Sequence, residues 1–264
     1  MRAYIKSVET QVNKMTLVPR VGYRYPFDLI GLATLSKAFA LSKACLRLLT
    51  GAFTDEAYGL CRSIVECATD LRYVTADRDS QEKRTRDFVN YAKAQKAFWA
   101  HCALEQFKGK KGRSKQAAEV RQYMKEHRII SDPKSARRHW SGLSGFIWDV
   151  MTMPHPLDGP VTITHRKTSY AADYFQTSAF VHCSLPAIDN YFFDEGIAYR
   201  VSPSSEGVHE TCQTTLFIVL IYLHHSIAYV LFGMNIDRPA KFNELFQATL
   251  IKMKPVPRRH KSRS

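Results

Sequence analysis

The sequence predicts an all-α fold, a single helical bundle of about seven or eight helices with two loop-rich interruptions. Three observations predict it. Apolar residues recur at helical spacing through most of the chain. No alternating strand series, internal repeat or glycine-rich phosphate loop interrupts them. One long segment, 211–236, contains no Asp, Glu, Lys or Arg. With 264 residues, 45% of them apolar, the chain can bury one sizeable core, and it reads as one domain over 27–252.

Residues 1–26 read as an N-terminal extension; the start, Met1 to Glu9, has no apolar run of the kind that begins a secretory signal. The first strong helix is predicted over about 27–49, opened by Pro26, stopped by Gly51 and apolar through Leu29, Leu32, Phe39 and Leu46. A second is predicted over about 54–76, with Thr54 as its N-cap and Asp55 and Glu56 placed against the helix dipole. A third runs from near Ser80 to about Phe107, where the basic stretch 108–113 interrupts it. Shorter helices are expected over about 114–127 and from near Ser141, before the proline-rich loop 154–160. A helix over 168–184, an irregular stretch 185–206, a long apolar helix 207–234 and a last helix 238–252 complete the bundle. Residues 253–264 form a basic tail expected to be disordered.

An apolar window of about 20 residues is the mark of a membrane span, and 216–234 qualifies. Two adjacent histidines, His224 and His225, fall near its middle, where polar groups are costly in lipid. No second span is expected, so a buried central helix is favoured over stable membrane insertion.

The formal charge of +14 is concentrated. Lys108, Lys110, Lys111, Arg113 and Lys115 form one group, Lys134, Arg137 and Arg138 a second, and Lys252 to Arg263, including Arg258 and Arg259, a third. Together they equal the net charge, so the rest of the chain is formally neutral. Such groups either lie in solvated connectors or attract a polyanion such as RNA, DNA or anionic lipid headgroups. The six cysteines form no C-x-x-C pair and sit mostly among apolar residues, the pattern of thiols in a reducing, cytoplasmic compartment. No metal spacing and no cofactor motif is present, because the adjacent His224 and His225 diverge by about 100° on a helix.

The chemistry-bearing residues are polar groups set into apolar helices. Arg62, Glu66, Asp70 and Tyr73 occupy one arc of the second helix. They form either a solvated stripe, in which the Arg62–Glu66 pair is worth under ~1 kcal/mol, or an inward seam where Arg62 is an anion-binding fork and Glu66 or Asp70 orients it or acts as a base. Tyr174, Ser178 and His182 share a stripe on the 168–184 helix. Ser178 and His182 make either a structural contact between helices or a site in which His182 moves a proton or contacts phosphate.

The ordered set Arg62-Ser63-x-x-Glu66-x-x-x-x-Leu71-x-Tyr73, then Arg84 to Tyr91, Trp140-Ser141-Gly142 and Tyr174 to His182 resembles a widespread prokaryotic family known only as a domain of unknown function. The resemblance spans about residues 30–235. It implies a helical bundle with Arg62, Glu66, Tyr73, Trp140, Ser178 and His182 as its polar centre, and no established reaction. That family is in turn distantly similar to HEPN domains, helical bundles often found as toxin or defence ribonucleases. Their R-x(4–6)-H motif implies an Arg on the scissile phosphate, a His for proton transfer with the ribose 2′-hydroxyl, no metal, and a homodimer sharing one cleft. Here Phe175, Gln176 and Thr177 stand where that Arg would precede His182, while Arg121 to His127 fits the spacing elsewhere. Arg62, from another helix, is the expected substitute in space. The function expected is therefore a metal-independent RNA-acting protein with Arg62, Glu66 and His182 at its centre. A non-catalytic interaction module and a membrane-associated protein are the alternatives.

Overall fold

The computed structural model describes residues 1–16, 26–110, 112–126, 141, 143, 146–159, 172–174, 177–178, 181, 192–194, 199–201 and 209–253. Its helices are α1 (Arg2–Thr16), α2 (Pro26–Thr50), α3 (Thr54–Thr75), α4 (Arg78–Phe107), α5 (Ser114–Glu126), α6 (Phe146–Thr152), α7 (His209–Gly233) and α8 (Ala240–Lys252). The all-α class expected from the sequence is the class observed. In the stretch expected to be irregular, Phe192–Asp194 and Tyr199–Val201 pair as an antiparallel hairpin with Phe193 opposite Arg200. Helical backbone at 172–174 and 177–178 agrees with the expected 168–184 helix as far as that segment is described.

The core is a three-helix centre, α3 and α7 packed on each other and both on α2. Ile64, Val65 and Leu71 of α3 meet Ile218, Leu220, Leu223 and Ile227 of α7, all at most 2% exposed. Burying such a side chain contributes ~1.5–3 kcal/mol. Within the stretch 1–26, read from the sequence as an N-terminal extension, the described helix α1 packs on this core. Tyr4 and Val8 of α1 have no exposed surface and pack with Phe242 and Phe246 of α8. Tyr4, Ile5 and Val8 form the buried side of α1, set among polar residues such as Lys6, Ser7 and Glu9.

The helix ends follow local chemistry. The α7 chain reverses at Asn235 (φ 55°), with the Ile236 N–H donating to the Leu231 carbonyl at 2.8 Å and the Asn235 N–H to Phe232 at 3.0 Å. The same closure ends α2, but Ala52 (φ 63°), not Gly51, takes the left-handed position. Thr54 is the first helical residue of α3 rather than its cap; Phe53 occupies that position without a side-chain bond. Asp77 caps α4 and accepts the Asp79 N–H at 3.1 Å, so this helix starts earlier than Ser80.

Two helices are long and apolar enough to cross a membrane, α2 over Phe27–Thr50 as well as α7 over Cys212–Gly233. This corrects the expectation of a single such segment. α7 is the enclosed central helix of the bundle. The exposed side of α2 carries Lys37 and Arg47 among Ala33, Ser36 and Ala40.

Candidate functional site

Helix α3 presents two arginines to two different surroundings. Arg62 bridges α3 to the segment around residue 174: its Nε donates to Glu66 Oε1 at 3.0 Å, one terminal nitrogen to Ser178 Oγ at 3.1 Å and the other to the Tyr174 hydroxyl at 2.9 Å. The guanidinium also lies over the Tyr174 ring, 5.0 Å from its centroid. Its side chain keeps 20% of its surface exposed and that of Glu66 keeps 44%. Four of the residues singled out in the sequence, Arg62, Glu66, Tyr174 and Ser178, therefore meet at a point open to water.

Beneath them the same segment carries an acid that sequence reasoning missed. Asp173 accepts a hydrogen bond from the Tyr222 hydroxyl of α7 at 2.8 Å. Burial raises its pKa above the ordinary carboxyl value, with the Tyr222 bond opposing. His225 stands edge-on to Tyr222, centroids 6.1 Å apart, and beside Tyr229 at 6.0 Å. The residue is exposed, and desolvation by the surrounding protein, then the charges of Arg72 and Arg238, lower its pKa, with Asp158 against them. Its neighbour His224 points the other way, as the helix geometry requires. It stacks on Phe246 at 3.6 Å and holds the Tyr4 hydroxyl through Nδ1 at 2.9 Å and Arg238 through Nε2.

Arg72, ten residues beyond Arg62, is closed in. Its Nε donates to the Val150 carbonyl at 3.3 Å. One terminal nitrogen donates to Asp158 Oδ1 at 2.7 Å and the Tyr229 hydroxyl at 3.3 Å, and the other to Asp158 Oδ2 at 3.0 Å and the Met153 carbonyl at 2.8 Å. All five N–H groups of the guanidinium are used. Burial works against its charge, but the Asp158 and Tyr229 bonds outweigh it and raise its pKa. Asp158 also accepts the His155 N–H at 2.9 Å. His155 Nδ1 accepts the Leu157 N–H at 3.0 Å, so Nε2 carries the ring proton toward Thr75 Oγ1, 3.1 Å away. The proline-rich loop 154–160 is therefore bolted to α3 as far as Gly159, the last of its described residues. A His and an Asp between prolines were its only sequence signal.

The expected polar arc divides. Tyr73 lies under Arg84, 4.6 Å from guanidinium carbon to ring centroid, and its carbonyl accepts an Arg84 bond at 2.6 Å. Asp70 and Glu66 together help raise the pKa of the buried Cys67 thiol, burial being the first cause and Lys37 opposing. Lys110 and Arg113 are exposed in the α4–α5 turn. Trp140, His182, Lys111, Arg137, Arg138, Arg258 and Arg259 lie outside the described residues. Among the described residues, no group of three His, Cys, Asp or Glu side chains is placed to hold a metal ion.

Residues 28–199 match the family of unknown function DUF5677. The chain belongs to that family. The matched DUF5677 segment contains Arg62, Glu66, Arg72, Asp158, Asp173, Tyr174 and Ser178, while Tyr222, His225 and Tyr229, on the helix that closes the core, lie beyond it. No functionally curated protein and no solved structure matches the chain.

Proposed function

We propose that this DUF5677 protein acts on RNA, as a metal-independent ribonuclease distantly related to HEPN domains of prokaryotic defence or toxin systems. The observation that carries the reading is Arg62. Its guanidinium is held in one orientation by three side chains from two segments while still reaching solvent, the condition for a preorganised phosphate clamp. Glu66 orients it. His182, four residues after Ser178 in the sequence, takes the ribose 2′-hydroxyl proton. The freed oxygen attacks phosphorus, the bond to the 5′-oxygen breaks, and the ring returns the proton to that leaving oxygen, giving a 2′,3′-cyclic phosphate. The basic groups at 108–115, at 134–138 and in the tail recruit the polyanion.

The test is cleavage of labelled total RNA by the purified protein with and without EDTA, beside Arg62→Ala and His182→Ala. Cleavage that survives EDTA and disappears in both variants is the expected result. A second reading has its own observation: each nitrogen of Arg62 already has a protein partner, as in a structural network. Wild-type protein without cleavage, together with variants markedly less stable to heat, would make the chain an interaction module.

A further inference from the structure

Well away in sequence from the Arg62 residues, α4 and α5 line an open groove of about 550 Å³. Trp99 lines it with 71% of its surface exposed, and Tyr123 lines it at 40%. An indole left this open to water is a large stacking face that the fold does not use. Gln116 and Glu119, one turn of α5 apart on one face, contribute two acceptors, and Gln116 Oε1 is buried without a hydrogen-bond partner among the described residues. A buried acceptor on a residue that lines the pocket calls for a donor, which an entering ligand can bring once the amide turns toward it. Lys96 lines the same pocket. The turn joining the two helices, shaped by Gly109 (φ 72°) and Gly112 (φ 81°), displays Lys108, Lys110 and Arg113, with Lys115 exposed just after it. Two acids stand against these cations, Glu105, which lies 3.8 Å from Lys108, and Glu119 in the pocket itself.

We infer that the α4–α5 pocket binds an unpaired base of single-stranded RNA, and that the inference rests on the RNA reading above. The Trp99 ring stacks on the base, a contact every base can make. Gln116 and Glu119 accept from its exocyclic amino group. Lys96 and the cations of the turn follow the phosphates on either side. Two acceptors at the edge-reading position select bases that carry an amino group, so cytosine is favoured over uracil, which presents carbonyls there. A pocket of this volume holds one nucleotide and part of its neighbour.

The experiment is fluorescence anisotropy of labelled oligocytidine and oligouridine RNAs, each of about a dozen nucleotides, titrated with the full chain. The same titration is run on Trp99→Ala and on Gln116→Ala with Glu119→Gln, and cleavage is followed in Arg62→Ala. The expected result is tighter binding of oligocytidine, a loss of about tenfold or more in Trp99→Ala, and loss of the cytosine preference in the double variant. Trp99 is exposed, so its removal leaves the core intact. Equal affinity of Trp99→Ala and wild type overturns the pocket while leaving the RNA reading standing. Trp99-dependent binding with cleavage that survives Arg62→Ala overturns the Arg62 centre and leaves the pocket. Absence of any RNA binding by the wild type overturns both.

Discussion

Arg62 and Arg72 lie on one helix ten residues apart, and the fold treats them in opposite ways. The side chain of Arg72 is 3% exposed with every N–H donor engaged, whereas that of Arg62 is 20% exposed and held against hydroxyls and one acid that itself reaches water. A saturated, buried guanidinium can only hold the protein together. An oriented, part-exposed one can also meet a ligand. The same residue type thus serves as a bolt at one end of α3 and as a candidate anion clamp near its middle. What separates the two roles is access to solvent, which is not a property of the residue alone.

The largest effect that would break this comparison is at Arg72. Arg72→Met should cost ~3–5 kcal/mol of unfolding free energy, because it strands the Asp158 carboxylate and two carbonyls in the interior. Denaturant titration measures it, and a cost no larger than that of Arg62→Met would erase the distinction. Next is Gly233, which lets α7 approach α2 and α3 at the Arg72 end. A Cβ there would lie 2.3 Å from Phe27 Cε1 and 2.7 Å from Thr75 Cγ2. Gly233→Ala should lower stability by ~1–3 kcal/mol through overpacking, read in the same titration. Arg62→Ala and Glu66→Gln should each cost only about 1 kcal/mol or less, since the pair is part-exposed, while the Arg62 change abolishes any RNA cleavage. A variant that lost stability in step with activity would place Arg62 with Arg72 as structural.

The smallest effect is a pH dependence that belongs to the buried end. Burial first, then the charge of Arg72, pushes the His155 pKa from its ordinary 6.5 down to about 4, with Asp158 opposing. Between these values the unfolded chain binds a proton that the folded chain does not. This contribution to stability is complete above about pH 6.5 and is lost progressively as pH falls toward 4. The sign is the same for His224, buried between Phe242 and Phe246 and held at about 2. Denaturation midpoints at pH 7, 6 and 5 should fall in that order, and less steeply in His155→Asn. A flat profile would mean that these rings are not held neutral.

Several elements were legible in the sequence for simple reasons. The 3.6-residue period of apolar side chains located α2, α3, α5, α7 and α8 to within a few residues. Arg62 and Glu66 were recognisable because i and i+4 are neighbours on any helix, and Tyr174 and Ser178 share a face for the same reason. Where local spacing ran out, the reading stopped. Asp158 is 86 residues from Arg72, and nothing in its proline-rich surroundings names a partner. His225 looked like one of two histidines in an apolar run, yet helix geometry sends His224 into the α1–α8 cluster and His225 toward Tyr222 and Tyr229.

By itself the sequence determined the helical class, the order of the main helices and the polar residues that share a helical face, because each depends on periodicity within one segment. Only the tertiary structure decided that α1 belongs to the core, that Arg62 meets Tyr174 and Ser178 across more than a hundred residues, and that Arg72 rather than Arg62 is sealed. Burial and pairing are set by which helix faces are brought together, and an arginine carries no local signal of whether its fork will end in water or in a carboxylate.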